Sequence, residues 1–60
     1  MTFIPRQFVT VTLFGLNYKG RVIRCILEHG GGWLFDVQYA DDRGELRRGE
    51  FTACELEPQP

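Results

Sequence analysis

No stretch of this chain makes a convincing helical run. Short runs alternate apolar with polar residues instead, and glycine-containing segments separate them. That pattern confines the chain to β structure, because a period of two puts one face of each run inward. In QFVTVTLF, residues 7–14, Val9, Val11 and Leu13 alternate with Thr10 and Thr12. FGLNYKG, residues 14–20, reads as a turn region with Gly15 and Gly20 at its ends. RVIRCILEH, residues 21–29, is apolar on both faces, with Ile23, Cys25 and Leu27 on one and Val22 and Ile26 on the other. Such a strand is either buried on both sides or bent partway. Gly30, Gly31 and Gly32 fit a hairpin loop. They do not fit a phosphate cradle, which needs a helix start and usually a following Lys or Ser/Thr.

WLFDVQY, residues 33–39, is the clearest strand. Trp33, Phe35, Val37 and Tyr39 share one face, and Leu34, Asp36 and Gln38 the other. ADDRG, residues 40–44, is a turn of aspartates and glycine. ELRRGEF, residues 45–51, makes a fourth strand with a potential break at Gly49. Thr52–Cys54 reads as one 3-10 turn before a last short strand at Leu56, ended by Pro58. The ends, Pro5 and Pro58–Pro60, read as loose.

Five short strands predict an all-β domain, a small barrel whose closure removes exposed edges. The whole chain, residues 1–60, is one domain with an ordered core of about 7–58. The expected core is Val9, Val11, Leu13, Ile23, Cys25, Phe35, Val37, Phe51 and Leu56. A chain this short buries only about 60% of its unfolded surface, which leaves little room for an enclosed active site. No apolar run approaches the ~20 residues of a membrane-spanning helix. MTFIPRQFVT lacks the basic start and long apolar stretch of a secretory leader, so a cytoplasmic location is the expectation. Cys25 and Cys54 lie among apolar neighbours and read as buried free thiols. Two Cys and one His without CxxC spacing predict no metal site and no cofactor.

Tyr18-Lys19-Gly20-Arg21-Val22, then Phe35-Asp36-Val37-Gln38-Tyr39-Ala40-Asp41-Asp42, then Phe51 and Glu55-Leu56-Glu57-Pro58, resembles a Tudor-like domain of the SH3-like barrel superfamily. The resemblance covers roughly residues 8–58. It implies a five-stranded SH3-like barrel with a short 3-10 turn before the last strand. The outline is also similar to KOW modules and to plasmid-type dihydrofolate reductases. In the latter the fourth strand carries V-Q-I-Y, where this chain has Leu46-Arg47-Arg48-Gly49, and that activity is not carried over. The Tudor-like resemblance implies a ligand site of Phe14, Tyr18 and Tyr39 at one barrel mouth, with Asp41 and Asp42 as anions for a cationic or arginine-bearing segment. A ring face attracts a desolvated cation.

The expected function is therefore a non-catalytic module that binds a peptide or protein partner. His29 stands alone beside the glycine loop, with no nucleophile and orienting acid placed for catalysis. The net charge of −1 argues against a dedicated nucleic-acid binder. Its distribution is uneven, +3 over residues 1–28 and −4 over residues 29–60. The alternative is weak RNA or DNA binding through the basic second strand, Lys19, Arg21 and Arg24, extended by Arg47 and Arg48.

Overall fold

The computed structural model describes residues 2–59. Five strands, β1 (Phe8–Leu13), β2 (Leu16–Leu27), β3 (Trp33–Ala40), β4 (Leu46–Phe51) and β5 (Leu56–Pro58), form one antiparallel sheet in the order β4-β3-β2-β1-β5. A 3-10 turn, Ala53–Glu55, connects β4 to β5. It packs against β1, β3 and β5, so it lies over the core-bearing face and is not a free connection. The expected closed barrel is not what forms. The sheet stays open, with β4 and β5 as its edges. Its edge strand β5 has three residues, too short to leave a long unpaired ladder. Among the described residues, no helix is long and apolar enough to cross a membrane.

The first turn differs from the sequence expectation. Residues 16–20 are strand, and the connection is only Phe14 and Gly15. Both have positive φ, 50° and 78°. A two-residue type I′ hairpin turn needs that conformation at both central positions, because its twist matches that of the flanking strands. Tyr18 consequently sits within a strand, opposite Val11, and not in a loop. The fourth strand runs through Gly49 without interruption.

β2 bends. Val22 pairs with Val37 and Arg24 with Asp36, so Ile23 is an extra residue in a bulge. The bulge shifts the alternation by one. Gly20 and Val22 face the core, Arg21 and Arg24 share the outer face, and Cys25 returns inward opposite Phe35. This corrects the expected core. Ile23 is exposed and Val22 is buried. Leu13 and Cys25 are only half-buried at the margin.

The core consists of Phe3, Val9, Val11, Val22, Phe35, Val37, Phe51 and Leu56. Phe3 was not expected there. Its ring meets Phe35 edge-on at 5.3 Å, and the preceding segment is tied to β2 by backbone bonds from Arg6 N–H to the Val22 carbonyl and from Val22 N–H to the Gln7 carbonyl. The ends are thus anchored where described. Pro58 pairs with Val9, and the Gln59 side-chain amide donates to the Val9 carbonyl at 2.8 Å. Pro60 lies outside the described residues. Cys25 Sγ donates to the Phe3 carbonyl at 3.4 Å, whereas Cys54 is exposed, contrary to the buried thiol expected there.

Candidate ligand surfaces

Two surfaces carry the residues singled out by the sequence, one on each face of the sheet. The first lies on the inner face beyond the end of the core. Val37 and Tyr39 point the same way along β3, and Tyr18 follows Gly20 and Val22 on β2. Gly20, directly opposite Tyr39, brings the two strands' rings together. A Cβ at Gly20 would lie 2.8 Å from the Gln38 carbonyl oxygen and 3.0 Å from both Tyr39 Cβ and Val37 Cγ1. The Tyr18 and Tyr39 ring centroids stand 5.7 Å apart with their planes tilted by 46°. Tyr39 also meets Phe51 edge-on at 5.8 Å, which fixes it against the core. The pair makes an open two-ring platform. Phe14 does not join it: its side chain is fully exposed at the tip of the β1–β2 turn, and it takes part in none of the ring contacts among the described residues.

The two aspartates of the following turn have different roles. Asp41 Oδ1 accepts the N–H groups of Arg43 and Glu45, each at 2.9 Å, and Oδ2 accepts Arg47 Nε at 3.0 Å. Gly44, with φ 77°, closes the same turn by donating to the Asp41 carbonyl. The Arg47 bond, reinforced by the two backbone donors, holds the Asp41 carboxyl below its ordinary range despite partial burial. Asp41 therefore shapes the turn and is already paired. Asp42 is exposed and faces Tyr18. Burial first, and the Asp42 charge second, push the Tyr18 phenol above its ordinary value. The platform thus has one carboxylate at its rim.

The second surface is the outer face. The Ile23 bulge places Lys19, Arg21 and Arg24 there together, and Arg48 joins them from β4. Arg47, one residue earlier, points to the inner face and pairs with Asp41 and Glu45. Arg24 and Arg48 converge on Asp36. Arg48 Nη2 lies 2.7 Å from Asp36 Oδ2 and Arg24 Nε 3.1 Å from the same oxygen. Asp36 is 4% exposed although it lies on the face the alternation assigns to solvent. The long arginine stems cover it. Bonds from Arg48, then Arg24, draw the Asp36 carboxyl below its usual range against the opposing effect of burial, and Asp36 raises the Arg48 pKa in return.

This triad was missed from sequence. Its only signal was an acid in mid-strand, and the arginines that reach it lie 12 residues away on either side. Among the described residues, no group of three or more His, Cys, Asp or Glu is placed to hold a metal ion. No family model matches the chain, and neither a curated protein nor a solved structure is significantly similar to it.

Proposed function

We propose that the chain is a small non-catalytic interaction module of Tudor-like, SH3-like type that binds a cationic, arginine-bearing segment of a protein partner. One observation carries this reading: Tyr18 and Tyr39, distant in sequence, meet at 5.7 Å on the inner face beside the exposed Asp42. A guanidinium lying across two tilted rings stays within the ~6 Å over which a ring face attracts a cation. The platform is open on one side, so it suits a flat guanidinium better than an enclosed methylammonium. The strand order and the 3-10 turn before β5 support the fold-family reading.

Calorimetric titration with a capped arginine-containing peptide tests the site. Tyr39→Ala should weaken binding about two- to five-fold, the worth of one exposed cation–π contact. Because Tyr39 also packs on Phe51, Asp42→Asn serves as a second variant that leaves the core untouched. Equal affinity for the wild type and Asp42→Asn, with the Tyr39 variant folded and unimpaired, would reject the site.

A second reading, weak nucleic-acid binding, is favoured by the bulge that gathers Lys19, Arg21, Arg24 and Arg48 on one face. With Arg24 and Arg48 sharing Asp36, this surface offers, among the described residues, two cations without a carboxylate partner. Two phosphate contacts give a shallow salt dependence, a slope of about −1.4 for a single strand. A steep slope would speak for a larger basic surface than this face presents.

A further inference from the structure

The outer face contains a depression of about 360 Å³ lined by Phe8, Lys19, Arg21, Gln38, Ala40 and Leu46 among others. That is the lower end of the range for ligand-sized sites. Apart from Gln59, its residues come from four adjacent strands and follow from the register: Phe8 opposes Arg21, Arg21 opposes Gln38, and Ala40 opposes Leu46. Phe8 and Leu46 are unusually exposed for their type, at 57% and 68%. They form apolar walls that remain largely exposed.

The charge in this depression is prearranged. The Arg21 guanidinium lies over the Phe8 ring, with Cζ 4.8 Å from the ring centroid. Its Nε donates to the Arg6 carbonyl at 3.0 Å. One ring face and one backbone oxygen thus fix the plane of the guanidinium and leave its terminal nitrogens for a ligand. Lys19 stands two residues along the same strand and the same face. Among the described residues, neither Lys19 nor Arg21 pairs with a carboxylate, whereas Arg24, Arg47 and Arg48 all do. The nearest acids on this face lie outside the depression. Asp36 is held by two arginines, and Glu57 sits on β5 across from Thr10, itself across from Lys19. That is two strand spacings from Lys19, about 10 Å.

The geometry points to this depression as a docking site for an acidic peptide segment of a partner, seating one carboxylate on the Arg21 fork and an adjacent apolar side chain between Phe8 and Leu46. The fork geometry of a guanidinium suits a carboxylate held bidentately. Gln38, facing Arg21 across the β2–β3 ladder, supplies a neutral donor and acceptor for the peptide backbone. A nucleic-acid strand fits less well, because two cations neutralise little of its charge and Arg21 already occupies one face of the Phe8 ring. The depression shares Gly20 and Tyr39 with the platform in its lining, but the groups that would hold the ligand, Arg21, Lys19, Phe8 and Leu46, take no part in the tyrosine pair.

The test is an amide- and side-chain-shift titration of the full chain with a capped hexapeptide of alternating Leu and Glu. The same peptide with Gln for Glu and an oligothymidylate of eight nucleotides serve as comparisons. The Leu/Glu peptide should shift the Arg21 Nε–H, the Gln38 side-chain amide and the Leu46 methyls, and the Gln version should bind at least about ten-fold more weakly, as loss of a charge-assisted pair implies. Arg21→Gln should cost a similar factor. Since that variant also frees the Arg6 carbonyl, Lys19→Gln, which removes no intramolecular ion pair, should independently weaken the Leu/Glu peptide about two- to five-fold. Equal binding of the Gln peptide, tighter binding of the oligonucleotide, or shifts confined to Tyr18 and Tyr39 would each overturn the proposal. An arginine peptide that fails to bind while the Leu/Glu peptide binds would reject the tyrosine platform and leave this site standing.

Discussion

Phe14 and Gly20 show how single residues set the platform. Phe14 holds a left-handed conformation that costs a non-glycine residue roughly 1 kcal/mol or more, and its ring is fully exposed. Asn accepts that conformation more readily and is favoured before Gly in this turn. Phe14→Asn should therefore raise stability by about 1 kcal/mol in urea denaturation; a loss would mean that the Phe14 ring has a packing partner. Gly20 is constrained by space, since its neighbours within 3.0 Å of an added Cβ include main-chain oxygen that cannot swing away. Gly20→Ala should cost about 1–3 kcal/mol, the usual range for overpacking. It should also push Tyr39 from Tyr18, visible as weakened cross-peaks between the two rings. Sequence alone showed two glycines flanking a supposed turn. It could not show that Gly15 serves a backbone angle and Gly20 a contact distance, because the second depends on a strand paired only in the folded state.

At the scale of elements, the strands were legible because period-two alternation survives wherever one face is buried. β1 and β3 show it, and their inward residues Val9, Val11, Phe35 and Val37 are the centre of the core. β2 broke the rule with apolar residues on both faces, and that signal was real: it marks the Ile23 bulge. Its consequence was not readable, since the position of a bulge depends on the partner's register. Arg21 and Arg24, an odd number apart, end on one face for this reason. Tyr18 reads as a loop residue because Gly15 and Gly20 bracket it in sequence, whereas only Phe14 and Gly15 form the connection. The bulge gives a direct prediction. Deleting Ile23 restores strict alternation without turning any other residue over, so the variant should fold, at a cost of about 1–2 kcal/mol. Deleting Gln38 from β3 should unfold the protein, because every residue beyond it would change face. Circular dichroism and amide dispersion distinguish the two, and an unfolded Ile23 deletion would refute the bulge.

For the whole molecule, the balance of charge matters as much as the small core. On the outer face of the sheet, Arg24 and Arg48 converge on Asp36 and organise the surface charge. The Asp36 carboxyl lies below its ordinary value of 3.8 in the folded state. A depressed carboxylate contributes stability that is present above the unfolded value and is lost as pH falls through the folded one. Stability should therefore hold from neutral pH down to about 4 and decline below it. Asp36→Asn should lower stability at neutral pH by about 1–3 kcal/mol, the penalty of a disrupted buried bond, and should flatten the decline below pH 4. An unchanged acid profile in Asp36→Asn would show that the triad does not set the acid limit of stability.

The proposed function stands on the inner-face pair of tyrosines receiving a cationic side chain. The most direct measurement is an amide-shift map of the wild-type chain titrated with a capped arginine peptide. Saturable shifts should centre on Tyr18, Tyr39 and Asp42, with Arg21, Gln38 and Leu46 unmoved. Shifts centred on the outer face, or none at saturating peptide, would contradict it.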